Sequence, residues 1–209
     1  MQQHPQPCAE IISSSLHSWI GESWQWDYSP CFGEIVTAHS NGTDYYGIVT
    51  TITTGSSDPH RTPFAYQKTR EQLEAEHPHI FEFLQTHFTC SLLCYKPSQG
   101  NTLHHNYAPN PPSIHSFIRQ ATIHEAEAIF FDSLYLQRLF AQVQDIPIDE
   151  LIIGCITHYR NFFTNEKRLE ELIHTYTLLI NNDYRRLRLF LQRIQAIIYQ
   201  SSEKSDIDT

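Results

Sequence analysis

Glycine, basic residues and long apolar runs are all scarce in this chain. Only seven of the 209 residues are glycine, and no Gly-x-x-x-x-Gly-Lys-Ser/Thr run is among them. Without that string of backbone N–H groups and its lysine, a nucleotide γ-phosphate has no cradle. ATP hydrolysis is therefore not expected. Lysine and arginine total 14 against 23 aspartates and glutamates, a net charge of -9. A non-specific grip on nucleic acid is not the default for such a chain. No apolar stretch reaches the roughly eighteen residues of a membrane-spanning helix, so no membrane partner is expected. The opening MQQHPQPCAEIISSS has neither a basic region nor a continuous apolar one, which argues against a secretory signal. The ending SEKSDIDT carries no lipidation box. A cytoplasmic location follows by elimination. Cysteine is limited to Cys8, Cys31, Cys90, Cys94 and Cys155. An odd, scattered set does not form a disulfide framework, and reduced thiols fit it better.

What is present is enough apolar sequence, 40%, for one domain with an appendage or two small domains. Trp19, Trp24 and Trp26 crowd into SLHSWIGESWQW. That much aromatic surface predicts a segment laid over a core. The next stretch, FGEIVTAHSNGTDYYGIVTTITTG, holds Asn41-Gly42 between two runs of β-branched and aromatic residues. Asn-Gly suits a two-residue type I′ turn, because both positions need positive φ. That register pairs Ala38 with Tyr45, Thr37 with Tyr46 and Ile35 with Ile48. One face then carries Ile35, Thr37, Tyr46, Ile48 and Ile52. The other carries Val36, Ala38, Tyr45 and Val49. An open antiparallel sheet shows one polar face to water. Two apolar faces predict a small closed barrel with its outside covered, and Gly33 and Gly47 as points of bending or close approach.

Residues 55–68 read as a loop. Thr69 and Gln72 form a capping box for a short helix, and His77-Pro78 interrupts it before a second helical piece, PHIFEFLQTH. FTCSLLCYK reads as a buried strand, with Cys90 and Cys94 on one face, and TLHHNYA as another strand. PNPPSIHSF reads as a linker. Beyond residue 121 the apolar period becomes helical. Thr122 and Glu125 form a second capping box before one long helix, IHEAEAIFFDSLYLQRLFAQV. Pro147 precedes IDELIIGCITHYRNFF, and Asn165 and Asp183 cap two amphipathic helices joined by Asn181-Asn182. The expected class is α+β: a small antiparallel β-barrel with a helical insertion, followed by a C-terminal α-helical region. The expected division is an N-terminal extension (1–28), the barrel (29–120), the helical region (121–200) and a polar tail (201–209).

The strands Phe32-Gly33-Glu34-Ile35-Val36 and Tyr46-Gly47-Ile48-Val49, with the Thr-Gly-Ser-Ser-Asp-Pro loop and the short helix after it, resemble the HAS-barrel family. The resemblance covers about residues 29–117. In that family the barrel precedes the motor of HerA-type DNA-translocating ATPases and of ATP-synthase subunits, where it contacts other subunits or docks a partner. The resemblance implies a stand-alone barrel without the motor, and so a docking or assembly role with a protein partner: a ring ATPase, its client or a second copy.

Candidate chemistry is sparse. His104-His105 sit on adjacent strand positions and point apart, so a metal would need His115 or the Cys90/Cys94 pair. Cys31 and Cys155 read as small buried hydrophobes. Glu71, Glu74, Glu170 and Glu171 read as solvated helix faces. No catalytic, cofactor or metal residue is assigned. Tyr45, Tyr46, Tyr66 and Tyr107 offer a stacking platform for single-stranded nucleic acid, but without the basic groove such platforms use. The clearest candidate partner contact is Arg185, Arg186, Arg188 and Arg193. Arg185, Arg186 and Arg193 fall within about 100° on one helix, and Arg188 borders them. Nucleic acid remains the alternative partner, and a histidine-based metal enzyme a third reading.

Overall fold

The computed structural model describes residues 5–58, 60, 63–100, 102–131 and 133–199, so the polar tail lies outside the described residues. The fold is α+β. Six antiparallel strands close into a barrel: β1 (Ala9–Ser14), β2 (Ser18–Ser23), β3 (Ile35–Ser40), β4 (Thr43–Ser56), β5 (Leu84–Pro97) and β6 (Phe117–Gln120). Their order around the wall is β1-β2-β5-β4-β3-β6. The β3–β4 register is the one the Asn-Gly turn dictates, with Ala38 opposite Tyr45, Thr37 opposite Tyr46 and Ile35 opposite Ile48. Asn41 and Gly42 both have positive φ, 49° and 70°.

The barrel draws on more of the chain than the sequence indicated. Residues 9–23, expected in an N-terminal extension, supply β1 and β2. Alternation explains them. Trp19, Gly21 and Ser23 are buried, while Ile20 and Glu22 are half-buried. The three tryptophans therefore part company: Trp19 fills the lumen, Trp24 is exposed, and Trp26 stacks on Phe81 at 5.5 Å. TLHHNYA forms no strand and makes one bridge, His104 to Tyr95. The closing strand is β6, hidden in sequence behind the proline-rich linker.

The two apolar faces resolve into two cores. Val36, Ala38, Tyr45 and Val49 line the lumen with Trp19, Phe88 and Ile118. Ile35, Tyr46, Ile48, Leu93 and Cys94 point outward into the core formed with the helices. Register shifts decide the exceptions. The irregularity between Tyr46 and Gly47 gives β5 an extra residue. It leaves Cys90 in the lumen and turns Cys94 outward, so the two thiols do not share a face. A second irregularity at Val49/Thr51 takes Ile52 out of the core, and it is exposed.

The helical insertion, α1 (Arg70–Glu76) and a 3-10 helix (Pro78–Phe83), joins the far ends of β4 and β5 and buries no residue fully. The Thr69–Gln72 capping box is formed. Residues 84–87, read as helix from sequence, already belong to β5. The barrel is covered by the C-terminal helices: α2 (Ile123–Phe130), α3 (Leu134–Gln142), α4 (Ile148–His158), α5 (Arg160–Phe163), α6 (Glu166–Leu179) and α7 (Tyr184–Tyr199). The expected long helix from Ile123 is two, α2 ending at Phe130 and α3 starting at Leu134, with Ser133, a residue that disfavours a helix interior, just before the second. The Thr122–Glu125 capping box and the Asn165 cap are formed. Asp183 accepts from the Arg186 amide at 3.0 Å, and α6 and α7 meet through Tyr176 stacked on Phe190 at 3.9 Å.

The turn before β3 fastens barrel to helices. Gly33 has φ +81°, and a Cβ there would lie 2.7 Å from the Cys155 amide nitrogen and 2.7 Å from the Gly154 carbonyl carbon of α4. Phe32 lies against Gly154 in return. The Ile35 amide donates to the Tyr159 hydroxyl at 2.9 Å, and the His158 Nε2 sits 3.0 Å from the Phe32 carbonyl oxygen. Gly33 is thus the close approach that the sequence predicted.

Candidate functional site

β5, β4 and β3 lie side by side under the helices, and among the described residues no apolar side chain joins the helical core from the other half of the wall, β6-β1-β2. Its outward positions form the candidate site. Phe117 is 56% exposed and Trp24 is 53% exposed, and their rings meet edge to face at 5.3 Å. Phe117 lies opposite Glu10 on β1, and Glu10 lies opposite Glu22 on β2. Like charges directly across a sheet repel. Each carboxylate here has a histidine: His115 Nδ1 on Glu10, and His87 Nε2 on Glu22 at 3.0 Å. Ile12 and Ile114 are exposed as well. An aromatic pair beside an acidic pair is a surface suited to contact rather than to solvent alone. Sequence reasoning missed it because Phe117 lies on the overlooked β6. The available signal was the period-two alternation of residues 18–24, which puts Trp24 on the outer side with Ile20 and Glu22.

The lumen is filled. Trp19 is 1% exposed, and its six-membered ring presses on Gly47, where a Cβ would lie 2.5 Å from Trp19 Cη2. Its indole N–H has no hydrogen-bond partner among the described residues. An open cleft of about 520 Å³ lies at the outer end of β4 and β5, lined by Phe64, Tyr66, His79, Phe81 and Leu84 among others.

The residues singled out in sequence disperse. Tyr45 is in the lumen, Tyr46 lies under the helices, Tyr66 lines the cleft and Tyr107 lies beneath Arg138 at 4.1 Å, so they make no common platform. His104 stacks on Tyr95 at 5.1 Å, and His115 is across the wall on Glu10. Among the described residues no three histidines, cysteines or acids converge as metal ligands. Cys155 is buried as expected, but Cys31 is exposed because it precedes the barrel in the Gly33 turn. Burial pushes both thiols up, for Cys31 with help from Glu34. Neither is poised as a thiolate at neutral pH. Glu71, Glu74, Glu170 and Glu171 are exposed.

The arginine set divides. Arg186 donates twice to Asp149, at 2.9 and 2.7 Å, and Tyr176 donates to the same carboxylate at 2.9 Å. Arg193 donates twice to Glu150, at 2.5 and 2.6 Å. Asp149 and Glu150 stand in the first turn of α4, where the helix dipole favours acids. These two arginines hold α7 to α4. Arg185 and Arg188 are exposed on α7.

The most buried charged network is structural. Glu125 accepts two bonds from Arg119, at 2.7 and 2.9 Å, and further bonds from the Thr122 amide and hydroxyl. Burial alone would raise its pKa. The Arg119 and Thr122 bonds outweigh burial and hold it at about 2. Because the folded value lies below the unfolded one, this stabilisation is complete above about pH 4.5 and is lost as pH falls toward 2. Glu125→Gln is expected to remove roughly 2–3 kcal/mol at pH 7 and to flatten the stability profile between pH 5 and 2. Urea unfolding across that range tests it, and an unchanged slope would contradict the assignment.

No protein-family model matches the chain, and a search of curated proteins finds no match. Among the described residues, no helix is long and apolar enough to cross a membrane.

Proposed function

We propose that this chain is a non-enzymatic protein–protein docking or assembly module of the HAS-barrel type, acting with a ring ATPase or its client in the cytoplasm. The observation that carries the reading is the exposed Trp24–Phe117 pair beside Glu10 and Glu22, on the β6-β1-β2 wall that takes no part in the helical core among the described residues. Aromatic residues supply most of the energy at protein interfaces when they are exposed and clustered in the free state. The strand motifs, the filled lumen and the free thiols are in keeping with the same reading.

The test is cross-linked capture of partners by the tagged full chain, with and without nuclease, identified by mass spectrometry. A protein partner is expected to survive nuclease. Trp24→Asp with Phe117→Asp is expected to weaken that capture at least about tenfold, with the circular dichroism spectrum unchanged. Partners that vanish with nuclease would move the function to nucleic acid. Undiminished capture by the double variant would remove the wall as the docking face.

A further inference from the structure

We infer that the open flank of α7 docks an acidic amphipathic helix presented by a partner protein. The inference rests on the docking reading above and assigns it a second surface and a chemistry.

Helix α7 uses two of its sides internally. Phe190, Ile194 and Ile198 are buried in the helical core. Arg186 and Arg193, on one flank of that stripe, are bound by Asp149 and Glu150. Among the described residues nothing fills the opposite flank. A groove of about 370 Å³ runs along it, lined by Tyr184, Leu187, Arg188, Leu191, Gln192 and Gln195. Tyr184 at its start is 76% exposed. These positions recur at i, i+3, i+4, i+7, i+8 and i+11. That is the seam against which a second helix packs, not a strand or a base. The seam spans about three helical turns, so the occupant is a helix of at least that length.

Charge sets the sign of the partner. The chain carries -9 overall, yet Arg188 borders the seam and Arg185 lies farther round the same flank. Both are exposed. Among the described residues neither has a hydrogen-bond or ion-pair partner. Acidic residues beside an apolar stripe would meet these two cations. A second copy is the poorer fit, since two-fold packing of α7 on α7 sets Arg188 near the partner copy's identical cation. Nucleic acid would use the arginines but leave Tyr184 and Leu191 without apolar contact, whereas Leu187 already packs against the helical core.

The experiment is fluorescence anisotropy with the full chain and a labelled synthetic helix of about eighteen residues, leucine at a and d positions and glutamate elsewhere. A matching peptide with lysine for glutamate and a labelled single-stranded oligonucleotide are the controls. The acidic helix is expected to bind in the micromolar range and to weaken with salt. It is expected to weaken at least about tenfold for Arg185→Glu with Arg188→Glu, and again for Leu191→Glu. Both arginines are exposed, so the double variant keeps its fold, which its melting curve checks. No binding by the acidic helix, equal binding by the lysine helix, or equal binding by the charge-reversal variant would overturn the inference. Salt-sensitive capture of the oligonucleotide by the same arginines, or dimerisation lost in Leu191→Glu, would overturn it in favour of those occupants. If the helix fails while Trp24 and Phe117 still govern partner capture, only this inference falls. If the wall variant is neutral while the helix binds, the barrel-wall reading falls instead.

Discussion

Gly33→Ala is expected to lower the free energy of unfolding by roughly 2–5 kcal/mol. Two costs combine. At φ +81° any L side chain is strained, worth about 1–2 kcal/mol. The added Cβ would also meet the α4 backbone at 2.7 Å, and a backbone cannot rotate out of the way as a side chain can. Two other glycines separate these terms. Gly42, φ +70°, has only Ser98 Oγ at 3.8 Å, so Gly42→Ala should cost about 1 kcal/mol from conformation alone. Gly55 has nothing within 4 Å, and its replacement by alanine should be near neutral. Urea midpoints for the three variants give the order directly. If Gly33→Ala costs no more than Gly42→Ala, the close approach of turn and helix is not what joins the barrel to its cover. Because Phe32, Ile35 and Tyr159 share that junction, the variant should also loosen the helices, read as faster proteolysis of the C-terminal region.

Trp19→Ala is expected to cost about 3–5 kcal/mol, the usual loss for an aromatic removed from a packed interior. Trp19→Phe is expected to cost under about 1.5 kcal/mol. The indole N–H is buried without a partner among the described residues, so phenylalanine removes an uncompensated donor along with the lost volume. Gly47→Ala supplies the converse. Its Cβ would press on Trp19 Cη2 and Cζ2, an overpacking cost of about 1–3 kcal/mol. Combined with Trp19→Phe it should cost less than the sum of the two, since the ring atoms in the way are gone. Strict additivity of the pair would show that the two residues do not touch in solution. A lumen filled by Trp19 over Gly47 is in keeping with the proposed docking role, which uses only the barrel's outer surface.

Sequence alone determined the features whose causes are local. Asn41-Gly42 fixed a turn with two positive φ values, and with it the pairing of Ile35 with Ile48. Thr69, Thr122, Asn165 and Asp183 fixed helix starts, because each cap bonds to an amide three residues away. Apolar residues on both faces of β3 and β4 required a barrel with a covering layer, since neither face could be left in water. Tertiary structure decided what depends on distant partners. Pairing of β1 with β6 spans more than a hundred residues, and nothing local to Phe117 announces it. The extra residue in β5 turns Cys94 away from Cys90, because a bulge is set by the partner strand. Four arginines of one helix look alike in sequence. Only the position of α4 separates Arg186 and Arg193, which hold the fold, from Arg185 and Arg188, which face outward. Ion pairs form between elements, so their partners are fixed only once those elements have packed.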